Sequence, residues 1–320
     1  MTASASLDPT PIAVTSRSFS RDDRLRDELL SRYTDVRFND EGRSLAGADL
    51  VGFLEGRHAA ITGLERIDDE VLRRVPSLMI ISKIGVGVDM LDLDAFARHG
   101  VRLARTEGTN SRSVAELALL LILGLLRRIP EVQDGLRAGR WEQPRGRELT
   151  GKAVGIIGLG YVGRELASLL AAFGCDVRAV EAHPRVVPPS VELTDLDTAL
   201  MESDIITLHV PLTPETAKLI GARELGLMKH DAIVINTARG GLIDEAALLD
   251  ALDSDRLGGA GLDVLAGEPP ADDTLLRHGR VFATSHIGGS TAEAVYAMGR
   301  AAIEGLGRAL SELQLEGQSS

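Results

Sequence analysis

Short apolar runs rich in valine and isoleucine recur along the chain, separated by stretches whose apolar residues return with the period of a helix. Residues 12–15, 36–38, 59–62, 78–82 and 102–104 read as strands, and 22–33 and 92–99 as helices between them. That alternation predicts a parallel sheet with helices on both faces. A long helix follows, capped by Asn110 or Ser111, running through the leucine block to Arg128 and closed by Pro130. Its near-continuous apolarity predicts burial on most sides. A second series opens at Gly151, with strands at 153–157, 176–180, 205–209, 232–236, 259–264 and 281–284. Six strands in that rhythm predict a doubly wound dinucleotide-binding domain. Residues 290–315 read as a final helix that returns to the first domain. The fold class is therefore α/β, in two domains, with frayed ends expected at 1–10 and 316–320.

Charge narrows the partners. With 35 Lys and Arg against 47 Asp and Glu, the net charge is −12, which disfavours nucleic acid held by its phosphates. Six Phe, three Tyr and one Trp beside 34 Gly suit aliphatic layers with many close backbone approaches. The single cysteine, Cys175, lies in the stretch 169–177 that reads as interior, so neither an internal disulfide nor thiol chemistry is expected. The amino-terminal segment has no basic stretch followed by an apolar core. The longest apolar run, 117–126, is about half of what a bilayer requires. A cytoplasmic protein without membrane, nucleic-acid or metal partners is expected.

The first chemical motif is Gly158-Leu159-Gly160-Tyr161-Val162-Gly163, between a predicted strand and a predicted helix. There the first glycine permits a tight turn, the second lets backbone approach a pyrophosphate, and the third lets the helix pack on the strand. Glu181, at the end of the next strand, is placed to accept hydrogen bonds from an adenosine ribose. Its charge repels a 2′-phosphate, which predicts NAD over NADP; Arg185, four positions on, softens that preference.

Three further segments at predicted strand ends carry polar residues that packing does not require: Asn236-Thr237-Ala238-Arg239-Gly240, Leu262-Asp263-Val264 leading to Gly267-Glu268-Pro269-Pro270, and Ser285-His286-Ile287-Gly288-Gly289. With the glycine loop, they make the chain resemble the D-isomer-specific 2-hydroxyacid dehydrogenases from about residue 12 to residue 306. Within that family the segments 110–117 and 286–291 look most like phosphoglycerate dehydrogenases, here in a short form without the regulatory domain.

The resemblance implies a Rossmann-type NAD-binding domain, residues 110–289, inserted into a flavodoxin-like substrate-binding domain, residues 1–109 and 290–320, with the active site in the cleft between them. It implies that Arg239, Glu268 and His286 are catalytic. A planar guanidinium suits a carboxylate and a carbonyl oxygen, the imidazole exchanges the proton, and the glutamate favours its charged form and sets its tautomer. Asp263 looks like the residue that holds the nicotinamide carboxamide. His209, Val210, Pro211, Thr237, Ala238, Gly288 and Gly289 match positions lining the cofactor cleft. Lys83, Val86 and Gly87 match the loop that receives the substrate carboxylate, and a homodimer through the 110–128 helix is implied.

The substrate stays open: a small 2-hydroxy or 2-oxo acid, with phosphoglycerate dehydrogenase, glyoxylate or hydroxypyruvate reductase, and phosphite dehydrogenase as alternatives. An NAD(H)-sensing protein like the corepressor relatives is a further alternative of a different class. Formate is disfavoured, because formate dehydrogenases of this superfamily carry Gln where Glu268 stands. A phosphorylated acid would need extra cations, for which Arg17, Lys83, Arg57 and Arg112 are candidates. Two positions depart from the family pattern: Ser285 replaces a usual proline before the histidine, and Met90 follows Asp89 where Asn or His is frequent.

Overall fold

The computed structural model describes residues 7–318. The chain divides into two compact units, residues 1–110 with 290–320 and residues 111–289.

In the first unit, strands β1 (Ile12–Val14), β2 (Val36–Phe38), β3 (Ala59–Thr62), β4 (Ile80–Lys83) and β5 (Arg102–Ala104) form one parallel sheet, ordered β2-β1-β3-β4-β5. This is the flavodoxin-like order, whose direction reverses between β1 and β3. Helices α1 (Arg17–Ser20), α2 (Asp23–Leu30), α3 (Gly47–Leu54), α4 (Asp69–Arg74) and α5 (Leu93–His99) connect the strands. The sequence pattern reveals only α2 and α5 among them. Both are announced by an aspartate, Asp22 and Asp92, whose carboxylate accepts from first-turn amides. Helix α2 ends earlier than expected; Tyr33, beyond it, bridges to Asp8, so the described part of the amino-terminal segment is tied down. Residues 1–6 and 319–320 of the expected frayed ends lie outside the described residues.

The second unit begins with α6 (Ser111–Leu126) and α7 (Ile129–Arg137). Pro130 does not close the leucine-rich helix; it lies in the first turn of α7, where its missing N–H costs nothing, while Arg128 turns the chain at φ 56°. Helix α6 is also less enclosed than its composition suggests. Val114, Ala118, Leu121 and Ile122 are buried, whereas Leu120 is 53% exposed.

Seven parallel strands follow, one more than the sequence pattern shows: β6 (Ala153–Ile157), β7 (Asp176–Val180), β8 (Val191–Leu193), β9 (Ile205–Leu208), β10 (Ile233–Asn236), β11 (Gly259–Leu262) and β12 (Val281–Ala283). Their order is β12-β11-β10-β9-β6-β7-β8, with the reversal between β6 and β9, the doubly wound arrangement of dinucleotide-binding folds. The extra strand, β8, is a three-residue edge that follows Pro188 and Pro189 and pairs with β7, Val191 opposite Val177. Helices α8 (Tyr161–Ala172), α9 (Leu196–Glu202), α10 (Ala222–Leu227), α11 (Glu245–Asp253) and α12 (Thr274–Arg277) complete the unit. Cys175 sits at the rim rather than in the interior: Phe173 and Gly174 before it are exposed, and the half-buried thiol, its pKa raised by burial, faces the Leu149 carbonyl.

The last helix, α13 (Ala292–Gln318), returns to the first unit. Ala294, Met298, Ala302, Leu306 and Leu310 recur one turn apart and are buried against the β1–β3–β4 face. Gly299 lets α13 also pack closely on α2, since a Cβ there would lie 2.3 Å from Leu25 Cδ1. Burying Met298, Ile303, Leu306 and Leu310 contributes about 1.5–3 kcal/mol each.

Candidate active site

The three glycines of the phosphate loop serve different ends. Gly158 turns at φ +100°, and a Cβ there would meet the His209 carbonyl at 2.8 Å, so the β6 and β9 ends close on each other. At Gly163 a Cβ would overlap the Gly158 oxygen at 2.1 Å, which is how α8 packs directly on the loop. At Gly160 a Cβ would meet nothing within 4 Å. Open space therefore lies over the one glycine that also caps α8 without any side-chain cap, leaving the first-turn amides of Tyr161, Val162 and Gly163 for an anion.

Glu181 lies beside this loop. One carboxylate oxygen accepts from the Leu159 amide at 2.8 Å and the other from the His183 amide at 3.1 Å. Each oxygen keeps a second lone pair for a ribose hydroxyl. Across the reversal, His209 is held by a 2.9 Å hydrogen bond between Nε2 and the buried Thr207 hydroxyl. Burial pulls its pKa down to about 3, so the ring is neutral. Val210 packs on the core next to it and Pro211 is exposed. At the end of β10, Thr237 is buried with a hydroxyl that no protein group satisfies, and Ala238 is partly buried. A loop with open space above its amides, a flanking carboxylate and an orphaned hydroxyl at the end of β10, two strands away, fit a dinucleotide.

The polar residues of the later strand ends converge. Asn236, almost fully buried, clamps the Arg239 turn: its side chain donates to the Arg239 carbonyl at 2.7 Å and accepts from the Ala238 amide at 3.0 Å. Arg239 is partly buried, with Nη1 donating to the Ala238 carbonyl at 2.7 Å. A Cβ on Gly240 would sit 1.8 Å from the Leu265 carbonyl carbon, so the arginine turn lies directly against the segment carrying Glu268. Glu268 in turn bridges two elements, accepting from the Leu265 amide at 3.0 Å and lying 2.6 Å from His286 Nδ1.

His286 is the one non-glycine residue of its loop with positive φ, 55°. Histidine tolerates this left-handed region better than most residues, but it must be held there. Asp263 holds it. The Asp263 carbonyl accepts from the His286 amide at 2.8 Å. Its carboxylate accepts from Thr284 Oγ1 at 2.6 Å, the Ile287 amide at 2.8 Å and the Gly288 amide at 2.9 Å. Asp263 is only 2% exposed, and these bonds commit it to the His286 loop. No local sequence signal marks this positioning role, because the partners of Asp263 lie 21 to 25 positions away. Ser285, the departure from the family proline, is exposed and carries none of these contacts. The Gly288 carbonyl accepts from Ser113 Oγ at 2.6 Å, tying the loop to the start of α6, and Gly289 follows, partly buried.

Lys83, Val86 and Gly87 belong to the first unit. Lys83 ends β4 almost buried, its ammonium donating to the Ile84 carbonyl at 2.8 Å. Gly85 turns at φ +91°, and Val86 and Gly87 follow, partly buried, in the loop this opens.

A doubly wound sheet with such a phosphate loop, an acidic residue at the second strand end and a paired His–Glu beside an arginine turn defines an NAD-binding domain of the dehydrogenase type. Residues 119–288 match the family described as D-isomer specific 2-hydroxyacid dehydrogenase, NAD binding domain. Over 233 residues the chain is 42% identical to the D-3-phosphoglycerate dehydrogenase of Mycobacterium tuberculosis, covering 71% of this chain and 44% of that protein. Over 245 residues it is 41% identical to the hydroxypyruvate reductase of Thermotoga maritima, covering 75% and 80%. A solved structure from Polaromonas sp. JS6 66 matches with a TM-score of 0.86 at 31% identity, covering 95% of this chain and 97% of that one. The chain belongs to the family of D-isomer-specific 2-hydroxyacid dehydrogenases. It spans about half the length of the phosphoglycerate dehydrogenases it matches.

Proposed function

We propose that the protein is an NAD-dependent oxidoreductase that interconverts a small D-2-hydroxy acid and its 2-oxo acid. The observation that carries this reading is the 2.6 Å contact between His286 Nδ1 and Glu268 on a loop pinned by Asp263, in the same unit as the glycine loop. NAD held by these residues would supply hydride exchange with C2 of the acid. With Nδ1–H donating to Glu268, Nε2 is the nitrogen that gives a proton to the forming alkoxide or takes it from the hydroxyl. The Arg239 guanidinium anchors carboxylate and carbonyl oxygen. In the first unit, Lys83, Val86 and Gly87 belong to a loop whose amides suit a carboxylate. Gly158, Gly160 and Gly163 seat the pyrophosphate and Glu181 the ribose, which favours NAD over NADP. Thr237 and Ala238, with His209, Val210, Pro211, Gly288 and Gly289, line the nicotinamide side.

The test is turnover of NADH with a panel of 2-oxo acids, alongside His286→Asn. The wild type turns over at least one acid, and the variant loses turnover while still binding NADH. Binding of NADH without turnover of any acid would replace this reading with that of a nucleotide sensor.

The protein acts as a homodimer in the cytoplasm on this reading. Leu120, Ile129, Leu136 and Trp141 expose apolar surface on and after α6 and α7, Trp141 to 83%, which supports pairing with a second copy. Light scattering at twice the chain mass is expected, and a monomer would remove the assignment. Among the described residues no helix is long and apolar enough to cross a membrane.

A further inference from the structure

Arg164 directly follows the last glycine of the phosphate loop, outside the glycine motif itself, and is the fourth residue of α8. Side chains on a helix lean toward its amino terminus, so this guanidinium is carried back onto the loop. Nη1 donates to the Leu159 carbonyl at 3.0 Å, and Cζ lies 5.2 Å from the centre of the Tyr161 ring, three residues earlier on the same helix face. Tyr161 is 51% exposed, so the ring holds the guanidinium at the surface of the loop rather than in the core.

The same loop residue is gripped from its other side. The Leu159 amide donates to Glu181 at 2.8 Å, which leaves Leu159 held by a carboxylate through its N–H and by a guanidinium through its carbonyl. Among the described residues, the partly buried Arg164 forms no ion pair with any carboxylate. Arg112, which reaches α8 from α6, is by contrast paired with Glu116 at 2.7 Å and Glu165 at 3.6 Å. With Nη1 on Leu159, Nε and Nη2 of Arg164 keep their donors.

Two features of the loop work against an anion. Glu181 brings a negative charge beside it, and the Leu159 carbonyl is the negative end of a dipole next to the amides of Tyr161, Val162 and Gly163. Arg164 offsets both, since it covers that carbonyl and balances that charge. In a chain of net charge −12, it is a cation kept for a counter-ion that the protein does not supply.

We propose that Arg164 is a coenzyme-binding residue of this chain, the cation that balances the dianionic pyrophosphate at the 158–163 loop. This rests on the reading of that loop as an NAD site, and it needs only residues of the second unit. Glu181 takes the ribose hydroxyls and Arg164 the phosphate charge, opposite demands that the Leu159 backbone keeps apart.

The experiment measures binding of ADP and of adenosine to the full chain, with NADH as the whole coenzyme, in wild type, Arg164→Met and Arg164→Lys. Both small ligands carry the ribose, and only ADP carries the pyrophosphate. We expect Arg164→Met to weaken ADP and NADH about tenfold while adenosine stays within about twofold. Arg164→Lys, which keeps the charge but not the planar fork, should weaken ADP about threefold with adenosine again unmoved. Raising salt from about 50 mM to about 500 mM should weaken ADP more on the wild type than on Arg164→Met, because the screened charge is the one removed. Equal losses for ADP and adenosine would mean that the arginine only props the loop, and would overturn the proposal. Unchanged ADP binding in both variants overturns it as well, while leaving the NAD site intact. A wild type that binds neither NADH nor ADP overturns the NAD reading of the loop and this inference with it.

Discussion

Replacing Asp263 by asparagine leaves the size of the side chain unchanged and turns one acceptor oxygen into a donor. The carboxylate accepts from Thr284 Oγ1 and the Ile287 amide on one oxygen and from the buried Gly288 amide on the other. With the amide nitrogen in the second position, the Gly288 N–H faces another N–H at 2.9 Å. The flipped orientation sets that nitrogen against the Ile287 N–H instead, while the Thr284 hydroxyl can turn to accept from it. Losing one charge-assisted bond and burying an unmatched donor costs about 2–3 kcal/mol. The left-handed backbone of His286 then loses one of the bonds that hold its loop, keeping its own amide bond and those to Thr284 and Ile287. At about 2–4 °C per kcal/mol for a chain of this size, thermal unfolding without cofactor should fall by roughly 4–12 °C. Turnover should fall with it, because the imidazole is no longer presented in one orientation. A variant melting within about 1 °C of the wild type, with turnover within about twofold, would refute the positioning role.

The glycine loop gives a paired prediction. Gly163→Ala drives a methyl to 2.1 Å from the Gly158 carbonyl oxygen and should cost about 1–3 kcal/mol in urea unfolding; Gly160→Ala meets nothing within 4 Å, should leave stability unchanged, and should weaken NADH binding about tenfold or more by calorimetry. His209 makes stability depend on pH. Its ring titrates at about 3 when folded against 6.5 for an unperturbed histidine, so the unfolded chain binds the proton more tightly. The protein therefore loses stability as pH falls below about 6.5, a loss that continues toward pH 3. Against His209→Gln, the wild type should lose about 1.5 kcal/mol more between about pH 6.5 and pH 5 in urea titrations, and parallel curves would contradict the neutral ring.

Much of this was legible because the signals are local. The strands β2, β3, β5, β6 and β7 lie where the apolar runs fall, and the glycine loop sits between β6 and α8. Elements with weak local signals were not: α3 lacks a side-chain cap, and β8 is a three-residue edge after a proline-containing turn. Pro130 was misleading for a related reason, since proline both ends helices and begins them, and only the left-handed Arg128 before it decides which.

Residue types in order determined the two α/β series, the phosphate loop and the candidacy of Arg239, Glu268 and His286, because backbone periods and glycine chemistry act over a few neighbouring positions. The tertiary structure decided what each polar group is tied to: that Asp263 commits its oxygens to residues 21 to 25 positions away, and that Glu268 meets His286 across 18. It also decided that Arg57 and Arg112 pair with carboxylates and that Glu65 closes on Gly63. Hydrogen bonds and ion pairs of that kind depend on distances between strand ends, and those distances exist only once the sheets have formed.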